Sequence, residues 1–149
     1  MLRALKTAIT MDAGRRRLAL RCGFELVRAS AQLAVVRRSA ISPLLGDARP
    51  ALDPAGLAPA SDADLRLGIE VGRLVARIAA VLPWHPGCLR QVLACRRTLT
   101  ARGVETVIHL GVADAATLGA HAWVSVGNIV VNGAGQQEAH TPLASYRGR

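Results

Sequence analysis

Apolar spacing in this chain changes period once, at Gly103, and that change limits the folds open to it. Upstream, hydrophobic residues recur at three- and four-residue intervals; downstream they gather in short β-branched runs. Helices first and strands last is an α+β plan rather than an alternating one. At 149 residues the chain has material for one core and not for two ordinary domains. With only 3% aromatic residues, that core must be built from Leu, Val, Ile and Ala.

The upstream part divides at its prolines. Asp12 is placed to cap a helix from about Ala13 to Arg38, with Leu18, Leu20, Phe24, Leu26, Val27, Leu33 and Val35 as its apolar positions. Gly23 sits inside that helix, where glycine weakens a single straight run. Pro43, Pro50, Pro54 and Pro59 remove donors and forbid a continuous helix, so 43–60 reads as a loop or linker. Ser61-Asp62-Ala63-Asp64 is a capping signal, and Leu67, Val71, Leu74, Val75 and Ile78 follow on one helical face to about Val81. A last helix starts at Cys88, behind Pro86, and stops at Gly103. Cys88, Val92, Cys95 and Leu99 share one of its faces, and Arg96, Arg97 and Arg102 suit the dipole at its end. The expected organisation is a helical extension over 1–42, a loop over 43–60 and a core over 61–149.

Beyond Gly103, residues 106–112 form a β-rich run, and Gly127-Asn128 is a two-residue hairpin signal between residues 122–126 and 129–132. A regular hairpin pairs Val126 with Ile129 and Val124 with Val131. His121 and Asn132 then share a face, one diagonal step apart.

The net charge of +9 is unevenly spread: the first fifty residues carry ten basic side chains against Asp12, Glu25 and Asp47. Such a surface favours an anionic partner. One Phe, one Tyr and two Trp supply no stacking platform, so nucleic acid is not the expected one. The best apolar window, Leu18 to Val36, is broken by Arg21, Glu25 and Arg28, so no membrane span is predicted. The N-terminus lacks a clean signal peptide, and a cytoplasmic protein is expected. Cys22, Cys88 and Cys95 form no CxxC pair and no metal-ligand spacing; they read as free thiols.

Cys88 is the thiol with chemical promise. In the first turn of a helix, unpaired N–H groups and the dipole favour a negative sulfur. A histidine packed against that turn completes a Cys–His nucleophile pair, and His121 opens the hairpin's first strand. Asn132, on the face expected for His121, offers an amide oxygen to the ring's other nitrogen, or simply ends its strand. Cys95 and Cys22 read as packed core. His109 reads as a cross-strand histidine, His85 as a substrate contact on a Pro-flanked turn, and Trp84 as a packing residue; no motif surrounds His140.

Three blocks add a resemblance. Pro83-Trp84-His85-Pro86-Gly87-Cys88-Leu89, then Arg102-Gly103-Val104 with Leu110-Gly111-Val112, then Ala120-His121-Ala122-Trp123-Val124 resemble the lasso-peptide leader peptidases, over roughly residues 65 to 146. The resemblance implies a transglutaminase-like, papain-related fold with N-terminal helices and a C-terminal antiparallel sheet. It implies Cys88 as nucleophile, His121 as base and no cofactor or metal. The substrate implied is a lasso-type precursor peptide, cut between leader and core so that an ATP-dependent cyclase can close the macrolactam. Many members carry an aspartate near the end of the second hairpin strand, where this chain reads Val131-Asn132-Gly133; Asn132 is the choice for the third role, and Glu138 is the only later acid. Fused members place a winged-helix leader-recognition domain before the peptidase. The first 60 residues here lack strands for one, so a separate leader-recognition protein is expected, with the Arg-rich N-terminal helix as its docking surface. Two rivals remain: an amidase or acyltransferase using the same Cys–His pair, and a non-catalytic basic module that binds peptides.

Overall fold

The computed structural model describes residues 12–36, 41–112, 119–135 and 140–148. Its elements run α1 (Ala13–Val35), α2 (Ser42–Leu45), β1 (Asp47–Pro50), a 3-10 turn at Pro54–Gly56, α3 (Asp62–Val81), α4 (Cys88–Thr100), β2 (Thr106–Val112), β3 (Ala120–Val126), β4 (Ile129–Asn132) and β5 (Thr141–Gly148). The strands form one antiparallel sheet in the order β1-β5-β2-β3-β4. Glu138, one candidate for the third role, lies outside the described residues, as does the predicted helix end at Arg38.

Local chemistry sets the helix ends. The Asp12 carboxylate accepts from the Gly14 N–H at 3.2 Å to start α1. Ser61 Oγ accepts from the Asp64 N–H at 3.1 Å and donates to the Asp64 carboxylate at 2.8 Å, which starts α3. Gly103, at φ 77°, closes the end of α4 in a conformation that suits glycine.

Two expectations need correction. The buried face of α1 is Leu18, Cys22, Glu25, Leu26 and Ala29, whereas Leu20, Phe24, Val27 and Val35 are exposed. A helix packed on one side can bury only one stripe, and small Cys22 and Ala29 sit on the stripe that meets α3 and α4. Glu25 sits there too, fully buried, with Arg21 at 2.9 Å, Arg28 at 3.6 Å and Arg97 at 4.0 Å around its carboxylate. A buried carboxylate needs such partners. The predicted loop over 43–60 also contains structure: Asp47–Pro50 is the edge strand β1, paired to β5. Its proline ends an edge strand, where a missing donor is tolerated.

The two sheet faces do different work. Ile108, Ala122, Val124, Val126 and Tyr146 belong to the core shared with the helices. On the opposite face, His109 is fully buried between two hydroxyls, Ser145 Oγ at 3.0 Å from Nδ1 and Ser125 Oγ at 2.9 Å from Nε2, with its ring stacked on Trp123. Ser145 also accepts from the Leu52 N–H at 3.0 Å, which fastens the chain after β1 over this face. The reading of His109 as a cross-strand histidine agrees with this arrangement.

Burial pushes the His109 pKa down to about 4, against a partial offset from the Leu52 backbone and from Asp53. Its unfolded value is near 6.5, so the unfolded chain binds the extra proton first. This contribution to stability is whole above about pH 6.5 and is lost as pH falls toward 4. The expected loss is about 2 kcal/mol by pH 5 and about 3 kcal/mol in full, at 1.36 kcal/mol per pKa unit. Urea midpoints at pH 7 and pH 5 test it. An equal pH response in His109→Gln would assign the loss to other groups.

The hairpin turn falls at Gly127-Asn128 as predicted, but its register slips after two pairs. Val126 faces Ile129, Ser125 faces Val130, and Val124 faces Asn132, leaving Val131 as a bulge. Gly72 of α3 accounts for it: a Cβ at that position would lie 1.9 Å from the Val131 carbonyl oxygen. The bulged residue's carbonyl therefore sits against the bare backbone of α3.

Candidate active site

Cys88 is the first residue of α4, with Gly87 as N-cap and no capping side chain. The Arg90 and Gln91 N–H groups both reach the Gly87 carbonyl, at 3.1 and 3.2 Å. Among the described residues, the Cys88 and Leu89 N–H groups have no backbone acceptor, as expected for a helix start. Of the three thiols, Cys88 alone is partly exposed. Burial pushes Cys22 up to about 11 and holds Cys95 well above its ordinary value, so both are inert core thiols, as read from their spacing.

The turn before Cys88 is tightly built. His85, exposed, adopts φ 40°, the one positive value among described non-glycine residues. The Trp84 indole N–H donates to Ser30 Oγ of α1 at 3.3 Å while nearly half its surface stays open, so it ties the turn to α1 rather than filling the core. Gln91 Nε2 donates to the Pro86 carbonyl at 2.8 Å, closing the turn onto the first coil of α4.

His121 is the second residue of β3 and is buried. Its ring stacks on Trp123, 5.9 Å between centroids, and meets His140 at 5.1 Å. Nε2 lies 2.9 Å from the Gly133 carbonyl oxygen. A carbonyl only accepts, so Nε2 carries the hydrogen of the neutral ring and Nδ1 keeps the lone pair. Sequence reasoning missed both the Gly133 carbonyl and His140. The first is backbone, and the second has no motif around it.

Asn132 does not share the face of His121. The bulge turns it to the side of Val124, where Nδ2 donates to the Gly72 carbonyl at 3.3 Å and to Gln91 Oε1 at 3.5 Å. The amide expected beside the imidazole thus sits beside the helix that carries Cys88. Through Gln91, α4 reaches Asn132 from the helix side of the sheet, and His121 reaches the adjacent Gly133 carbonyl from the Trp123 side; thiol and ring are not hydrogen-bonded to each other. On the Trp123 face, a cavity of about 590 Å³ is lined by Trp123, Asp53, Ile129, Val130 and Pro142 among others.

Helices packed on one face of a five-stranded antiparallel sheet, with a cysteine at the start of one helix, define an α+β fold. A family model agrees with that class: the Transglutaminase-like superfamily model matches residues 24–145. The chain belongs to the transglutaminase-like superfamily. No curated protein and no solved structure matches it. The superfamily supports activity of the cysteine-protease or transglutaminase type. Among the described residues, no cluster of His, Cys, Asp or Glu has the makings of a metal site, and no helix is long and apolar enough to cross a membrane.

Proposed function

We propose that this protein is a cysteine peptidase that removes the leader from a lasso-type, ribosomally made precursor peptide in the cytoplasm. The observation that carries the reading is Cys88 at the bare N-terminus of α4, which Gln91 ties to Asn132, next to the Gly133 carbonyl that meets His121. The three blocks resembling leader peptidases name the substrate. His121 Nδ1 takes the Cys88 thiol proton, and the sulfur attacks a backbone carbonyl of the precursor. The Cys88 N–H donates to the oxyanion. As the tetrahedral species collapses, Nδ1–H protonates the departing amine and the acyl group stays on sulfur as a thioester. Water, giving a proton to Nδ1, then attacks the thioester, and the proton returns to sulfur as the acid leaves. Substrate binding must bring thiol and ring together, since such contacts often tighten only in the bound complex.

Mass spectrometry of precursor incubated with the protein tests this. Two fragments joining at the leader–core boundary are expected. An intact precursor carrying a deamidated or acylated glutamine would instead establish the amidase or acyltransferase reading. An unaltered precursor that is bound would establish the non-catalytic module.

The proposed partners are the precursor, a separate leader-recognition protein and the ATP-dependent cyclase that takes the freed core. For the second, the outer face of α1 offers Leu20, Phe24 and Val27, exposed, beside exposed Arg16, Arg17, Arg21 and Arg28. That combination suits an acid-rimmed apolar surface. A second copy, with the same net charge of +9, would be repelled. Cleavage at sub-saturating precursor is expected to rise when the leader-recognition protein is added, and the gain to fall with salt, because screening acts within about 8 Å at physiological ionic strength. Equal rates with and without it would remove this partner, and binding of α1 to anionic vesicles alone would assign the face to a membrane.

A further inference from the structure

We infer that Asn132 and Gly133, neighbours at the end of β4, position both halves of the thiol–imidazole pair, and that Gln91 carries one of the two arms. The inference deepens the Cys88–His121 reading and rests on it. One arm runs from the Asn132 amide to Gln91 Oε1 at 3.5 Å, and from Gln91 Nε2 to the Pro86 carbonyl at 2.8 Å, two residues before Cys88. Asn132 is itself anchored on α3 through the Gly72 carbonyl at 3.3 Å. The other arm is the Gly133 carbonyl, 2.9 Å from His121 Nε2.

The bulge at Val131 makes this division possible. Without it, residue 132 would point to the face of His121. With it, the side chain of 132 turns toward α4 while the next carbonyl turns to the imidazole. Gly133 holds its carbonyl there at φ 82°, and a Cβ would stand 2.7 Å from the Ala122 carbonyl oxygen and 2.9 Å from the Trp123 Cα. Glycine is therefore required by both conformation and space. A backbone acceptor performs what a side-chain carbonyl or carboxylate does in Cys–His–Asn and Ser–His–Asp arrangements: it selects the tautomer and the ring angle. Asn132, Gly133 and Gln91 are positioning residues; none is required to touch substrate.

The two arms separate by experiment, without any peptide. In the intact protein, imidazole 15N shifts of neutral His121 are expected to show hydrogen on Nε2. Iodoacetamide at fixed pH reports Cys88, since Cys22 and Cys95 are fully buried. Gln91→Met is expected to lower the Cys88 alkylation rate about tenfold and leave the His121 tautomer unchanged, as expected when only one arm is cut. Gly133→Ala is expected to shift hydrogen toward Nδ1. Should that variant not fold, the wild-type spectrum and Gln91→Met decide alone. Hydrogen on Nδ1 in the wild type, or wild-type alkylation in Gln91→Met, overturns the inference. If both readouts come out as expected but no precursor is cut, the peptidase reading fails and the two-armed clamp stands.

Discussion

Replacing Cys88 with alanine is expected to abolish precursor cleavage, by at least about 10⁴-fold, with thermal unfolding unchanged. The side chain is small and only partly buried, so its sulfur contributes little to packing. Cys95→Ala is the opposed case. That residue is wholly buried in the shared core, and burial holds its thiol protonated. Its loss should cost about 1–2 kcal/mol of stability, as for a small cavity, and leave most of the activity. Circular dichroism melts and precursor cleavage, measured on both variants, check the pair. Comparable activity losses in the two would mean that the nucleophile has been misassigned; full activity in Cys88→Ala would exclude thiol catalysis.

Local signals read from sequence survive well in this chain because their causes are local. Asp12 and Ser61 start helices with their own oxygens, and Gly127-Asn128 turns a hairpin. Cys88 falls at a helix start because Pro86-Gly87 precede it and nothing before Gly103 stops the helix. Features set by distant partners did not show. β1 contains Pro50 and is a strand only because β5, at the other end of the chain, lies beside it. The buried stripe of α1 is chosen by α3 and α4, and includes Glu25, which composition would place in solvent. At the site, one remote glycine decided the outcome. Gly72 admits the Val131 carbonyl, the bulge follows, and Asn132 faces α4 instead of His121. The group that does meet His121 is a backbone carbonyl, for which residue type carries no signal beyond the glycine at 133.

That dependence on Gly72 gives the second large effect. By helix propensity alone, Gly72→Ala within α3 would stabilise by about 1 kcal/mol. The added Cβ would stand 1.9 Å from the Val131 oxygen and 2.8 Å from its carbonyl carbon, so backbone has to move. Overpacking of this kind costs about 1–3 kcal/mol or more, and displacement of β4 also strains the Asn132 bond to the Gly72 carbonyl, worth about 1 kcal/mol. The clash outweighs the propensity. The net cost is about 1–3 kcal/mol, so Gly72→Ala is expected to lower Tm by roughly 2–12 °C, at about 2–4 °C per kcal/mol for a chain of this size. Gly23→Ala in α1 supplies the control, because nothing lies within 4 Å of a Cβ built there. It should raise Tm by roughly 1–4 °C through the unfolded chain's lost freedom. Calorimetry of the two variants decides between sterics and propensity. A Gly72→Ala protein as stable as the wild type would show that α3 and β4 can separate freely, and the bulge would then need another cause.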